Sequence, residues 1–123
     1  MKILLVDDDA AVLDMMSRLL KHRGHAVQTC LTPFGVSATI VRDLPEVVVL
    51  DIMMPGLGGT TLASLIAKLD LPTPQRPKVI LWSAVDDDAL AAASREAGGV
   101  ATVSKAMRAS EIAAAIERLG AAR

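Results

Sequence analysis

Five short runs of β-branched and leucine residues, separated by stretches whose apolar positions repeat at helical spacing, leave this chain few folds to choose from. The runs are Lys2–Val6, Ala26–Cys30, Val47–Leu50, Val79–Trp82 and, more weakly, Val100–Val103. Several are apolar along their whole length rather than alternating, which reads as strands covered on both faces. Parallel strands need helical crossovers, and the intervening segments supply them. The sequence therefore predicts an α/β domain with one doubly wound, five-stranded parallel sheet and five helices, residues 1–123 forming a single domain.

The helices follow from the spacing. Val12, Leu13, Met16, Leu19 and Leu20 share one face of a first helix that stops at Gly24. A second is expected to open at Thr32-Pro33, a capping residue followed by proline at the first helical position, to turn Val36 and Ile40 inward, and to end at Leu44-Pro45. The third begins near Thr60 and should bury Leu62, Leu65, Ile66 and Leu69 before a loop stiffened by Pro72, Pro74 and Pro77. A fourth runs from about Asp87 to Ala97, ahead of Gly98-Gly99, and a fifth presents Ile112, Ile116 and Leu119.

Charge and cysteine content narrow the function. Thirteen Lys and Arg nearly cancel fourteen Asp and Glu, so the chain carries no electrostatic footprint for nucleic acid. The apolar stretch Ile3–Val6 runs into three acids, too short for a signal-peptide core or a membrane span, and a lone Cys30, expected to be a small buried side chain, suits a reducing compartment. A cytoplasmic location is the expectation.

The pentapeptide VDDDA occurs twice, at Val6–Ala10 and Val85–Ala89. Position separates the two copies, because in doubly wound sheets the working crevice lies beyond the carboxyl ends of the strands. Strand one ends at Asp7-Asp8, strand three at Asp51 and strand four at Ser83, while Lys105 follows strand five. Three carboxylates, a hydroxyl and an ammonium thus converge on one edge. Crowded carboxylates repel, and a divalent cation or an ammonium makes the cluster tolerable, magnesium being suited to all-oxygen ligands. Asp86–Asp88 instead stand where acids cap and complement the start of a helix, and Asp9 reads as a helix-start residue too. His22 and His25 flank Gly24 at a helix end, where a surface or capping role is expected.

The acidic pair Asp7-Asp8, VVLDIMMPGLGG around Asp51, WSA with Ser83 and VSKA with Lys105 come in an order and at spacings that resemble the receiver domains of bacterial two-component response regulators. The resemblance covers essentially the whole chain and implies a flavodoxin-like (βα)5 fold. It implies that Asp51 accepts a phosphoryl group from the phosphohistidine of a sensor histidine kinase or histidine phosphotransfer protein. Asp7, Asp8, Asp51 and the Met53 main-chain carbonyl would hold Mg2+, Lys105 would contact the phosphate, and the Ser83 hydroxyl would report occupancy. The chain would be a phosphoacceptor switch rather than an enzyme, acting on a downstream protein through helix four, strand five and helix five, with no direct contact to nucleic acid or membrane. Met53 and Val85, two residues beyond the acceptor and the hydroxyl, stand where the family tunes hydrolysis. Gly56, Gly58 and Gly59 are expected to give backbone freedom beside the site.

Two positions depart from the pattern. Thr102 stands where the family commonly has an aromatic residue that turns inward, and Ala106 follows the lysine where proline in a cis peptide is common. A cis bond to a non-proline residue costs about 3 kcal/mol, so the Lys105-Ala106 peptide is expected to be trans. These departures support the alternative of a pseudo-receiver, a phosphorylation-independent interaction module. A third class, a metal-dependent phosphatase of the haloacid dehalogenase type, is suggested by Asp7-x-Asp9. It is opposed by Ala11 where a threonine is usual and by the lack of room for a cap.

Overall fold

The computed structural model describes residues 1–72 and 76–122. Pro74 of the expected stiff loop lies outside the described residues. The elements alternate strictly: β1 (Lys2–Val6), α1 (Ala10–His22), β2 (Ala26–Cys30), α2 (Val36–Asp43), β3 (Val47–Asp51), α3 (Gly59–Ala67), β4 (Lys78–Ser83), α4 (Asp87–Glu96), β5 (Ala101–Ser104) and α5 (Ala109–Ala121). All strand pairs are parallel, in the order β2-β1-β3-β4-β5. The chain winds one way from β1 to β2 and the other way from β3 onward. The crevice therefore opens between the carboxyl ends of β1 and β3.

Successive side chains on a strand point to opposite faces, and the sheet accordingly has two cores. Ile3, Leu5, Val47, Val49, Ile80 and Trp82 pack against Leu13, Met16 and Leu20 of α1 and Ile112 and Ile116 of α5. Leu4, Val6, Val48, Leu50 and Leu81 face Val36 and Ile40 of α2, Leu62 and Ile66 of α3, and Ala93 of α4. Every residue of β3 is buried, as its continuous apolar run requires of a central strand.

The two acidic triplets divide as their positions predict. Asp9 caps α1, its carboxylate accepting from the amides of Ala11 and Val12, which leaves Asp7 and Asp8 outside the helix. In the second copy the first aspartate is the cap: Asp86 accepts from the Ala89 amide, while Asp87 and Asp88 occupy the first turn of α4.

Four expectations need correction. The second helix does not open at Thr32-Pro33 but at Val36, because Gly35 takes a left-handed φ of 86° that interrupts any right-handed helix from Pro33. The Thr32 hydroxyl donates to the Phe34 carbonyl instead of capping. Leu65 faces solvent and Leu69 lies past the end of α3, partly buried. Cys30 is only half-buried, since β2 is an edge strand. His25 is no bare surface residue either: its Nε2 sits 2.8 Å from a carboxylate oxygen of Glu117, which also binds Arg23, so the turn after α1 is tied to α5.

Candidate functional site

Backbone pairing delivers each polar group to the crevice. The Asp7 amide donates to the Cys30 carbonyl at 3.1 Å, extending the β1–β2 ladder one residue beyond the strand. Asp51 is the last residue of β3, in register with Trp82, and Ser83 pairs with Ser104. The Lys105 amide then donates to the Ser83 carbonyl at 2.9 Å, which places the lysine stem over the end of β4.

The side chains meet. One carboxylate oxygen from each of Asp7, Asp8 and Asp51 lies within 4.8 Å of the others. The Lys105 ammonium is 2.5 Å from Asp7 Oδ2 and 3.3 Å from Asp51 Oδ1, so the lysine reaches the acids with Ala106 behind it. Its Nζ also stands 5.1 Å from the centre of the Trp82 ring, a cation–π contact that gives the buried indole a place beside the site. Asp7 is wholly buried, and its Oδ1 accepts from the Asp9 amide at 2.9 Å. Asp7 Oδ2 makes an ion pair with Lys105 but no directed hydrogen bond. Asp51 is 5% exposed, and its Oδ1 accepts from the Met53 amide at 3.4 Å. Ser83 is buried, its oxygen accepting from the Val85 amide at 3.3 Å, which leaves the hydroxyl proton free to donate.

The donor set fits a hard divalent cation. Three carboxylates against one ammonium leave two negative charges uncompensated, and the ligand atoms are all oxygen, as magnesium prefers. Which ions and phosphates the site takes is a matter of chemistry; its electrostatic strain is already visible. Burial, and then the neighbouring Asp7 charge, push the Asp51 carboxyl up to about 6 against the pull of Lys105 and the Met53 amide.

A raised carboxyl pKa has a definite consequence for the metal-free protein. An unfolded aspartate titrates near about 3.9, so between that pH and about 6 the native state binds more protons, and this group's contribution to stability falls as pH rises. Asp51→Asn is expected to stabilise the metal-free domain at pH 7.5, by about 1 to 3 kcal/mol, and to do so much less near pH 4. Thermal unfolding in chelator at several pH values measures this. A gain that is equal at every pH overturns the strain at Asp51.

Sequence reasoning missed three contributors. The Asp9 amide that holds Asp7 is a backbone group with no residue signature. Gly59 is needed for closeness rather than freedom: a Cβ there would lie 2.2 Å from the Asp51 carbonyl oxygen, and of the three loop glycines only Gly56 has a positive φ, 87°. Phe34 leans on that same Gly56.

Comparison with known proteins agrees with the geometry. Residues 3–117 match the response regulator receiver domain family. Over 85 residues the sequence is 34% identical to Response regulator PleD of Caulobacter vibrioides, a match spanning 69% of this chain but 18% of that relative. The chain thus corresponds to under a fifth of that relative's length. Among solved structures, a two-component response regulator of the LuxR family from Aurantimonas superposes with a TM-score of 0.84 at 28% identity, covering 98% of this chain and 85% of that one. A CheY-like response regulator receiver domain protein from Methanospirillum hungatei gives 0.80 at 28% identity, covering 95% and 91%. With five parallel strands in the receiver order, four acidic and basic landmarks in one crevice and a family match over nearly its full length, the chain belongs to the response regulator receiver domain family.

Proposed function

We propose that this chain is a magnesium-dependent switch in which Asp51 accepts a phosphoryl group from the phosphohistidine of a sensor histidine kinase or histidine phosphotransfer protein. Receiver domains signal by phosphorylation, take Mg2+ at an acidic pocket and partner with such kinases or transfer proteins. The observation that carries the assignment here is a buried aspartate at the switch point of the sheet, flanked by two further carboxylates and contacted by an ammonium.

In this reading Asp7, Asp8, Asp51 and the Met53 main-chain carbonyl hold the cation. When bound, it supplies positive charge to the phosphoryl oxygens during in-line displacement. An Asp51 oxygen forms the bond to phosphorus as the bond from phosphorus to the donor nitrogen breaks, the nitrogen keeping the electron pair. Attack needs the ionised carboxylate, and at neutral pH a carboxyl titrating near about 6 is largely ionised. Lys105 turns its ammonium from Asp51 toward the incoming phosphoryl oxygens. The Ser83 hydroxyl donates to the phosphoryl group once it is in place, drawing in the loop that leads to α4. Output is protein binding through α4, β5 and α5. Thr102, half-buried on β5 beside Leu81, takes no part as a swinging ring, so the readout lies in the loop after Ser83.

The test is intact-mass measurement after incubation with acetyl phosphate and magnesium, where one added phosphoryl group is expected. No gain with any of several small donors or with phosphohistidine protein favours the phosphorylation-independent module.

The lifetime of the modified state is a separate prediction. Met53 is 67% exposed and Val85 half-buried, and neither a thioether nor a branched alkyl group can orient an attacking water. If orientation is worth about 1.4 to 2.7 kcal/mol of barrier, Met53→Asn with Val85→Glu shortens the phosphorylated lifetime about ten- to a hundredfold. Decay of the phosphorylated mass after donor removal is the measurement, and equal decay in both proteins sinks the argument.

A further inference from the structure

The loop joining β3 to α3 carries the main-chain ligand proposed above, yet little backbone bonding holds it. Among the described residues, Met54 to Leu57 make no backbone hydrogen bond, and the loop is closed by the Met53 amide on Asp51 and the Gly59 amide on the Ile52 carbonyl at 3.1 Å. The buried Met54 side chain anchors its inner side. On its outer side stands Phe34, from the turn before α2, one of only two aromatic residues in the chain. Phe34 as a residue is 70% exposed, but its ring edge rests on Gly56: a Cβ added there would lie 3.1 Å from Cζ and 3.2 Å from Cε2. Gly56 is left-handed, so the chain turns beneath the ring. Phe34 stands between the buried Pro33 and the left-handed Gly35 that precedes α2.

We infer that Phe34 is a positioning residue for the cation site, clamping the β3–α3 loop through Gly56 so that the Met53 main chain is ordered before metal arrives. The inference rests on the magnesium reading of the crevice. The side chain adds little to overall stability because most of it stays in water, whereas a loop with few backbone bonds depends on each remaining contact. Partners that orient metal ligands are commonly worth tenfold or more in affinity.

The experiment compares wild type, Phe34→Ala and Phe34→Leu in three measurements: thermal unfolding in chelator, exchange of the Met53 and Gly59 amides that close the loop, and calorimetric magnesium affinity. For Phe34→Ala the unfolding midpoint is expected to stay near that of wild type. Exchange in the loop should rise about tenfold and magnesium affinity fall about tenfold, with Phe34→Leu recovering most of both. Loop exchange unchanged in Phe34→Ala overturns the clamp, and so does faster exchange with wild-type magnesium affinity. Normal magnesium affinity and acetyl phosphate uptake, with loss of transfer from a phosphohistidine protein alone, overturns it in favour of a docking role. A wild-type domain that binds no magnesium overturns the metal reading itself, and the inference with it, which separates that failure from failure of the clamp.

Discussion

Asp51→Asn is expected to gain no phosphoryl mass under conditions in which the wild-type domain is expected to gain one group. The amide oxygen is a far poorer nucleophile than the carboxylate, and among the described residues no other carboxylate shares the setting of Asp51. Asp7 is buried and committed to the Asp9 amide and the Lys105 ammonium, and Asp8 is exposed. Loss of a nucleophile that no neighbour replaces removes the covalent step altogether, so the expected effect is abolition rather than a graded decrease. Folding is not the confounder, because the substitution removes a carboxylate that burial and Asp7 already disfavour. The domain should unfold at a higher temperature in chelator while failing to take up phosphate. Equal mass gain in the variant identifies a different acceptor.

Lys105→Met is expected to separate the two duties proposed for the lysine. Its ammonium is the cation contacting both Asp7 and Asp51, and its side chain is 17% exposed. Removing one partner of a buried ion pair leaves the remaining charges uncompensated and commonly costs about 3 to 5 kcal/mol, although protonation of Asp51 limits the loss. The metal-free variant is therefore expected to be markedly less stable, and magnesium should restore much of the difference because a second cation neutralises the same carboxylates. Phosphoryl uptake should not be restored. Removing one preorganised positive group from a developing phosphoryl charge lowers rates by about 10² to 10³, even when the metal is present. Unfolding midpoints with and without magnesium, beside initial rates of mass gain, give the two numbers. Uptake at the wild-type rate in magnesium would confine Lys105 to stabilising the apo site.

Much of the molecule was legible because its signals are local. β1 and β2 were bounded correctly from their apolar runs, and helical spacing located α1 and α5 by their buried faces. Errors gathered where two local signals compete. Thr32-Pro33 has the chemistry of a helix start, but Gly35 in a left-handed conformation breaks the segment, so α2 begins later. Leu65 fits a hydrophobic repeat, but α3 turns that position outward because Leu62 and Ile66 already define its buried face. β5 sits one residue later than its apolar run, since the Ser94 hydroxyl takes the Val100 carbonyl and Gly98 and Gly99 shape the turn before it.

What the sequence alone determined was the set of elements and which residues stand at their ends. Hydrophobic period and capping chemistry are properties of neighbours along the chain, and they suffice to place Asp7, Asp8, Asp51, Ser83 and Lys105 at or just beyond the carboxyl ends of strands. Only the tertiary structure decided how those ends combine. Strand order brings β1 and β3 side by side, and Lys105, from the far edge of the sheet, bridges Asp7 and Asp51. The absent side chain of Gly59 lets α3 close on the Asp51 carbonyl, and Phe34 meets Gly56 across two loops. The pKa of Asp51 likewise depends on burial and on a charge contributed by another strand. These are distances through space between residues remote in the chain, and no local period encodes them.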